Sequence, residues 1–469
     1  MSSTTGETKV ISLYQSQKKI YAKSVRGRFA NWRVAMVLFT QALFYGLAWL
    51  PWNGRQAVLF DLTARKFYIF EWVFWPQDVL YLTFILIVSA YALFFVTAIA
   101  GRVFCGYACP QTVYTEIFMW IEEKFEGDRA ARIKLDDAPM SANKLWRKGR
   151  KHFFWILIAL WTGFTFVGYF TPIHTLGHEV LTASTGPWET FWIVFYGFAT
   201  WGNAGFMREQ VCKYMCPYAR FQSVMFDRDT MIVTYDEARG EPRGGRKKSA
   251  DPVALKLGSC VDCSLCVQVC PTGIDIREGL QYECIGCSAC IDVCDTVMDK
   301  MAYPRGLIRY STENAIEKHW DFAAIRKHML RPRIIIYFAV LVMLVAGLVG
   351  SLALRNPLKV NVIRDKGVLA REIEGKYIEN IYMLNVMNTA EKAQRFTVSV
   401  DGLDDIRVDR GSRIEADPAS TAASVLAIRI PVEVAEKAKS GSHTIFLTVK
   451  SETDAGISVR EKAAFLIPR

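Results

Sequence analysis

Apolar residues run almost unbroken over five stretches of this chain, near 33–50, 79–100, 153–171, 190–206 and 334–354. Each approaches the roughly 20 residues that an α-helix needs to cross a hydrocarbon core. The first is short and is extended by Pro51 and Trp52, and the fourth is short and interrupted by Gly197 and Gly202. Beyond residue 355 the period changes. Lys359–Ile363, Asn380–Met387, Phe396–Val400, Val425–Ile430 and Thr444–Val449 alternate apolar and polar positions, the two-residue period of half-buried strands. Gly402, the Asp409–Gly411 stretch and the Ser440–Ser442 stretch punctuate them. Seven or so short strands of this kind predict a β-sandwich of immunoglobulin type. It holds no catalytic constellation: its one histidine, His443, reads as a surface residue and the domain as a docking module.

Composition and charge orient these elements. The chain has 469 residues, 51% hydrophobic, 13% aromatic and still 22% charged, a mixture of membrane spans and water-exposed parts. Trp32, Trp49, Trp52, Trp72, Trp75, Trp155 and Trp188 fall near span ends, as an interfacial aromatic belt would. The first apolar stretch follows some thirty polar, basic residues, so it reads as an anchor and not as a cleaved signal. Lys9, Lys18, Lys19, Lys23, Arg26 and Arg28 crowd the N-terminal arm, and 101–152 carries ten lysines and arginines. The 172–189 connection has none and 52–78 has only Arg55, Arg65 and Lys66. The positive-inside rule then places the N-terminus, 101–152 and 207–333 in the cytoplasm and 355–469 outside. The net charge of +11 is largely this bias, which leaves no case for nucleic-acid binding. The basic run Arg239, Arg243, Arg246, Lys247 and Lys248 reads as a solvated linker near anionic lipid.

The cysteines carry the chemistry. Cys260, Cys263, Cys266 and Cys270 read C-x2-C-x2-C-x3-C, followed by Pro271, and Cys284, Cys287, Cys290 and Cys294 repeat the spacing. This is the bacterial ferredoxin pattern for cubane iron–sulfur clusters. In the usual crossed ligation Cys260, Cys263, Cys266 and Cys294 hold one [4Fe–4S] cluster, and Cys284, Cys287, Cys290 and Cys270 hold the other. Asp295 stands where the second run would carry proline, which leaves the ligand count intact. Zinc would ask for two separated C-x2-C knuckles, and cytoplasmic thiols stay reduced, against disulfides.

The other four cysteines form a second repeat. Cys105-Gly-Tyr-Ala-Cys109-Pro110 follows the second apolar stretch and Cys212-Lys-Tyr-Met-Cys216-Pro217 the fourth, 107 residues apart. Two spans plus a motif, duplicated, place both copies at one face of the membrane. Cysteines at i and i+4 share a helix face, and a following proline ends one helix and opens the next. Arg102, Arg208, Lys213 and Arg220 are near in sequence and are expected to favour the thiolates. Four such thiolates suit Cu(I), zinc or an iron–sulfur centre, and a redox dithiol is the other functional option. Buried cysteine as a small apolar residue is the bland reading, which duplication disfavours. His174 and His178, spaced i,i+4, can ligate copper or haem, though such a pair at an interface is more often structural. Glu116, Glu122 and Glu123 read as the polar side of an interfacial helix.

A basic N-terminus, paired C-x3-C-P motifs after membrane spans, two ferredoxin runs, a last span and a terminal sandwich together resemble the cytochrome c oxidase accessory protein family, the CcoG, FixG or RdxA type. The resemblance covers nearly the whole chain. It implies a role in assembling cbb3-type cytochrome c oxidase, with reduction of Cu(II) to Cu(I) in a bacterial inner membrane and a periplasmic C-terminal domain. It also implies a cytoplasmic electron donor, copper or a copper carrier protein, and oxidase assembly factors as partners. The eight ferredoxin cysteines would be cluster ligands and Cys105, Cys109, Cys212 and Cys216 the catalytic, copper-facing end of a relay. A quinone-linked respiratory subunit and a scaffold with structural clusters are the competing readings. The expected organisation is a basic arm over 1–32, a four-span core over 33–206, and the second motif with a basic linker over 207–250. A two-cluster ferredoxin domain over 251–310, a connector over 311–333, a fifth span over 334–354 and the outer sandwich over 355–469 complete it.

Overall fold

A computed structural model describes residues 19–251, 254–364, 370–454 and 456–468. The first eighteen residues of the basic arm, Lys9 and Lys18 among them, lie outside it. The chain divides into two compact units, one of 1–45, 89–166 and 186–341, the other of 46–88, 167–185 and 342–469.

Every expected apolar stretch contains a helix: Arg28–Trp49, Val79–Ala100, Ala142–Val167, Pro187–Gly202 and Pro332–Ala353. Two of them, Pro76–Ala100 (with its leading 3-10 turn) and Pro332–Ala353, are long and apolar enough to cross a membrane. The fourth has 16 residues, about 24 Å at 1.5 Å per residue, short of a 30 Å core. A π-helical turn, Asn203–Met207, follows it directly. Two of the expected belt tryptophans are buried inside the protein. Trp155 is 2% exposed, stacks on Phe118 at 5.1 Å and donates its Nε1–H to the Phe118 carbonyl at 3.0 Å. Trp75 is likewise buried.

In the first unit, short polar helices follow the span-like ones. Pro110–Glu126 opens with proline at its first position and ends at Gly127. Asp128 then caps Arg129–Asp137 by accepting from the Ala131 amide at 2.8 Å. Glu122 does not face water: at 1% exposure it pairs with Arg208 at 2.9 Å, Arg132 at 3.1 Å and Lys151 at 3.6 Å. Four-residue spacing cannot reveal this, because the cations come from other helices. The ferredoxin region is closed by an antiparallel pair, Ile232–Tyr235 with Ile308–Ser311, so its fold starts upstream of 251. Two helices, Leu265–Gln268 and Ala289–Met301, each begin inside a cysteine run and carry Cys266 of the first and Cys290 and Cys294 of the second.

In the second unit the terminal domain is a sandwich of two antiparallel sheets. One orders Arg407–Arg410, Thr421–Pro431, Tyr377–Asn388 and Leu358–Arg364, with Arg371–Ile373 also on Tyr377–Asn388. The other orders Arg413–Ala416, Gln394–Asp401, Gly441–Ser451 and Ser458–Ile467. Tyr382, Leu384 and Val386 face the core from one sheet and Ile445, Leu447 and Val449 from the other, all buried. The 52–78 connection folds into a three-stranded meander of Val58–Asp61, Lys66–Ile69 and Trp72–Phe74. Asp78, 6% exposed, holds Arg355 at 2.6 Å and also pairs with Lys359. His174 packs edge-on against Trp49 at 5.1 Å, a structural contact.

Candidate iron–sulfur and paired-cysteine site

All twelve cysteines are free thiols. Cys260, Cys263, Cys266 and Cys294 line one cavity, so the last cysteine of the second run joins the first run. Cys270, Cys284, Cys287 and Cys290 line a second, to which Cys266 also contributes. The loops turn their cysteines inward through left-handed residues at equivalent positions: Asp262 and Gly286, then Ser264 and Ser288. Among the described residues no three Cys, His, Asp or Glu converge as a single metal ion requires. A cubane, bound at four corners, fits these two thiol-lined cages.

Burial dominates the thiols. Cys284 and Cys294 are pushed up to about 12 and Cys266 to about 11. Thiols this reluctant to ionise give up their protons when a metal centre takes their place, so loading the cages releases protons.

Both C-x3-C-P motifs share one backbone design. Cys109 and Cys216 are extended residues that precede a proline at the first position of a helix, Pro110–Glu126 and Pro217–Met225. The amide of each reaches back five residues, Cys109 to the Phe104 carbonyl at 3.0 Å and Cys216 to that of Val211 at 2.8 Å. This π-like closure replaces the shared α-helical face expected for i,i+4 cysteines. Cys105 lies within electrostatic reach of Cys109 and Cys212, and Cys216 within reach of Cys109 and Cys212. They do not converge on one metal ion. The helix after the second motif serves the first: Gln222, fully buried, accepts from the Cys105 thiol at 3.4 Å, and its amide reaches Thr97 at 3.3 Å. Arg102 donates to the Ala219 carbonyl.

The thiolate character expected of Cys105 and Cys212 is not found. Burial raises Cys105 to about 12 and Cys212 to about 11, and Arg102 only partly offsets it. Arg208 is committed to Glu122. These groups are neutral thiols until a cation or oxidant engages them.

The first motif packs on the second cage. A Cβ at Gly106 would lie 2.9 Å from the Cα and N of Cys287, and one at Gly286 would lie 3.2 Å from the Arg102 carbonyl. The matching positions in the other copies, Lys213 and Asp262, carry side chains. Glycine therefore marks the two surfaces that meet. Sequence reading missed this contact and also Arg33 and Gln222. The swap of Gly106 for Lys213 and of Gly286 for Asp262 was the available signal.

Residues 207–313 match a family model described as a 4Fe-4S dicluster domain, and 82–126 one described as a 4Fe-4S binding domain. Residues 348–468 match one described as the IG-like fold at the C-terminal of FixG. Nitrogen fixation protein FixG of Rhizobium meliloti (strain 1021) is 36% identical over 423 residues, 83% of this chain and 80% of that protein. Protein RdxB of Cereibacter sphaeroides is 37% identical over 425 residues, 89% and 88% of the two chains. Protein RdxA of the same organism is 34% identical over 468 residues, 97% and 98% of the two chains. A crystal structure of a FixG-related protein from Vibrio parahaemolyticus is 22% identical, covers 24% of this chain and 97% of its own, and gives a TM-score of 0.21.

Proposed function

This chain belongs to the family of FixG, RdxA and RdxB, and we propose that it is a five-span membrane iron–sulfur protein that reduces Cu(II) to Cu(I) for assembly of a cbb3-type cytochrome c oxidase. The eight ferredoxin cysteines would hold two [4Fe–4S] clusters in crossed ligation, which the grouping of Cys294 and Cys270 supports. Bound there, the clusters supply one-electron transfer, the stoichiometry of cupric reduction. Copper is the substrate and leaves. That agrees with four thiols that lie near one another without forming a single-ion cage.

The observation that carries the reading is the packing of the Cys105–Gly106 turn on the Gly286–Cys287 loop. It puts soft donors, which favour Cu(I) over Cu(II), next to the second cage. Gln222 holds the Cys105 thiol by accepting its hydrogen bond, and the π-like closures hold Cys109 and Cys216 at the starts of the helices that follow them.

The test is Cu(I) formation by purified, chemically reduced protein, followed with a Cu(I)-specific chelator. Cys105→Ala and Cys216→Ala should retain iron and sulfide and lose most of the cupric reduction. An undiminished rate in the variant lacking Cys105, Cys109, Cys212 and Cys216 would sink the proposal. Quinone turnover in its place would assign the chain to a respiratory branch.

A further inference from the structure

Arg33, near the start of the helix Arg28–Trp49, is 8% exposed. A buried guanidinium normally has a carboxylate or several carbonyls around it, because an unpaired buried charge is costly. Among the described residues Arg33 has no ion pair, and its Nε has no acceptor. It lines a cavity together with Cys287, Ile285 and Thr272, and those three also line the second cage. Glu116 and Glu209 are the carboxylates on that cavity. Glu116 accepts from the Trp120 indole at 3.2 Å and Glu209 from Gln210 at 3.1 Å, and neither is ion-paired with Arg33. Asp292 is taken up by the amides of Phe29 and Ala30, at 3.1 and 2.7 Å.

The first cage has no comparable charge. Its cation, Arg277, is bound by Asp275 and Asp262, both at 2.6 Å. Asp295 adjoins Cys294 and accepts from the Gly306 amide at 3.0 Å. Arg246 is spread over the carbonyls of Gly244, Gly258 and Cys260 and the Tyr303 hydroxyl.

Four thiolates make a cubane a net anion, more so when reduced, and its potential follows local charge and exposure. Burial alone therefore pushes the potential of the second cage down, and a buried cation pushes it up. We propose that Arg33 is the counter-charge of the second cage: its guanidinium stabilises the reduced cubane held by Cys270, Cys284, Cys287 and Cys290 and raises its reduction potential. The meaning of this rests on the electron-transfer reading, since it makes the electron's favoured resting place the cage against which Cys105 packs. The potential itself does not depend on copper.

The experiment is an EPR-monitored redox titration of the purified, fully loaded protein with dithionite and mediators, in the absence of copper. Arg33→Gln should shift the one-electron reduction equilibrium of one cubane at least tenfold toward the oxidised form, about 59 mV for a single electron. The other cubane should stay where it is. Arg33→Lys, which keeps the charge, should restore most of the shift. Glu116→Gln, which removes one of the two carboxylates on the same cavity and keeps an acceptor for Trp120, should move the same midpoint upward. Unchanged midpoints in Arg33→Gln with full iron and sulfide would overturn the proposal. If Arg33→Gln fails to hold iron, Glu116→Gln decides alone, and an unmoved or lowered midpoint there would overturn it. Failure of the copper reading shows separately, as normal potentials with no Cu(I) formed.

Discussion

At Gly106 and Gly286 a hydrogen atom in place of a side chain lets two loops meet, and the proposed electron path runs through that contact. Each faces backbone, not the movable end of a side chain, so a methyl group at either position forces the loops apart. Overpacking of this kind typically costs about 1–3 kcal/mol, and Gly286 adds strain at φ +67. Gly106→Val should therefore keep both cubanes, by iron and sulfide content, while slowing cupric reduction by prereduced protein, because tunnelling falls steeply with distance. Lys213→Ala, at the matching place in the second motif, should leave the rate unchanged. Equal rates in Gly106→Val and the parent would show that the contact is only structural. The cysteines themselves were readable in sequence, since three thiolates reach one cube only with short spacers. Their protonation was not readable. Basic neighbours in sequence promised thiolates, whereas burial of Cys105 and Cys212 decides the outcome and one-dimensional proximity does not report burial.

At the scale of elements, the helix Pro110–Glu126 is fixed through Glu122, whose cations arrive from Arg129–Asp137, from Ala142–Val167 and from the turn at Arg208. The surrounding cations, Arg208 and Lys151 foremost, outweigh burial and hold this carboxyl down at about 2, against an ordinary 4.5. A depressed carboxyl stabilises the fold fully above about pH 4.5, and that contribution fades as pH falls toward 2. Thermal unfolding of the parent should thus become easier through this window. Glu122→Gln, which leaves buried cations unpaired, should be destabilised by about 3–5 kcal/mol at neutral pH and should lose the Glu122 part of the acid dependence. Parallel pH profiles for the two proteins would remove Glu122 from that role. The same scale separates what the sequence revealed from what it hid. Long strands such as Tyr377–Asn388 announce themselves because alternate residues, Tyr382, Leu384 and Val386, enter one core. Strands of three or four residues, Arg371–Ile373 or the meander beginning at Val58, are too short to show a period. Ion pairs between helices leave no periodic trace at all, which is why Glu122 passed for a solvated face.

The whole molecule sets one further constraint, the side of the membrane on which each segment lies. Two helices are long and apolar enough to cross, Pro76–Ala100 and Pro332–Ala353. With those two alone, the ferredoxin region, which lies between them in sequence, would face one side and both termini the other. With five spans the N-terminus shares the side of the ferredoxin region, and the 52–78 and 172–189 connections are exported together with the residues beyond 355. The charge pattern favours the second arrangement, because Lys19, Lys23, Arg26 and Arg28 crowd the start of the first helix and 172–189 holds no lysine or arginine. A reporter active only after export separates the two. Fused near Gly258 it should be silent, and after Arg355 active, under either arrangement. Fused within 172–189 it should be active if there are five spans and silent if there are two. Activity near Gly258 would reverse the orientation and put the cages on the exported side, where a cytoplasmic donor has no access. Silence within 172–189 would leave Ala142–Val167 and Pro187–Gly202 on the cytoplasmic side, with Arg28–Trp49 on the opposite one, and remove the membrane repeat from the explanation of the paired cysteines. Cys105 and Cys212 would then owe their proximity to the packing of Gln222 and Arg102 alone.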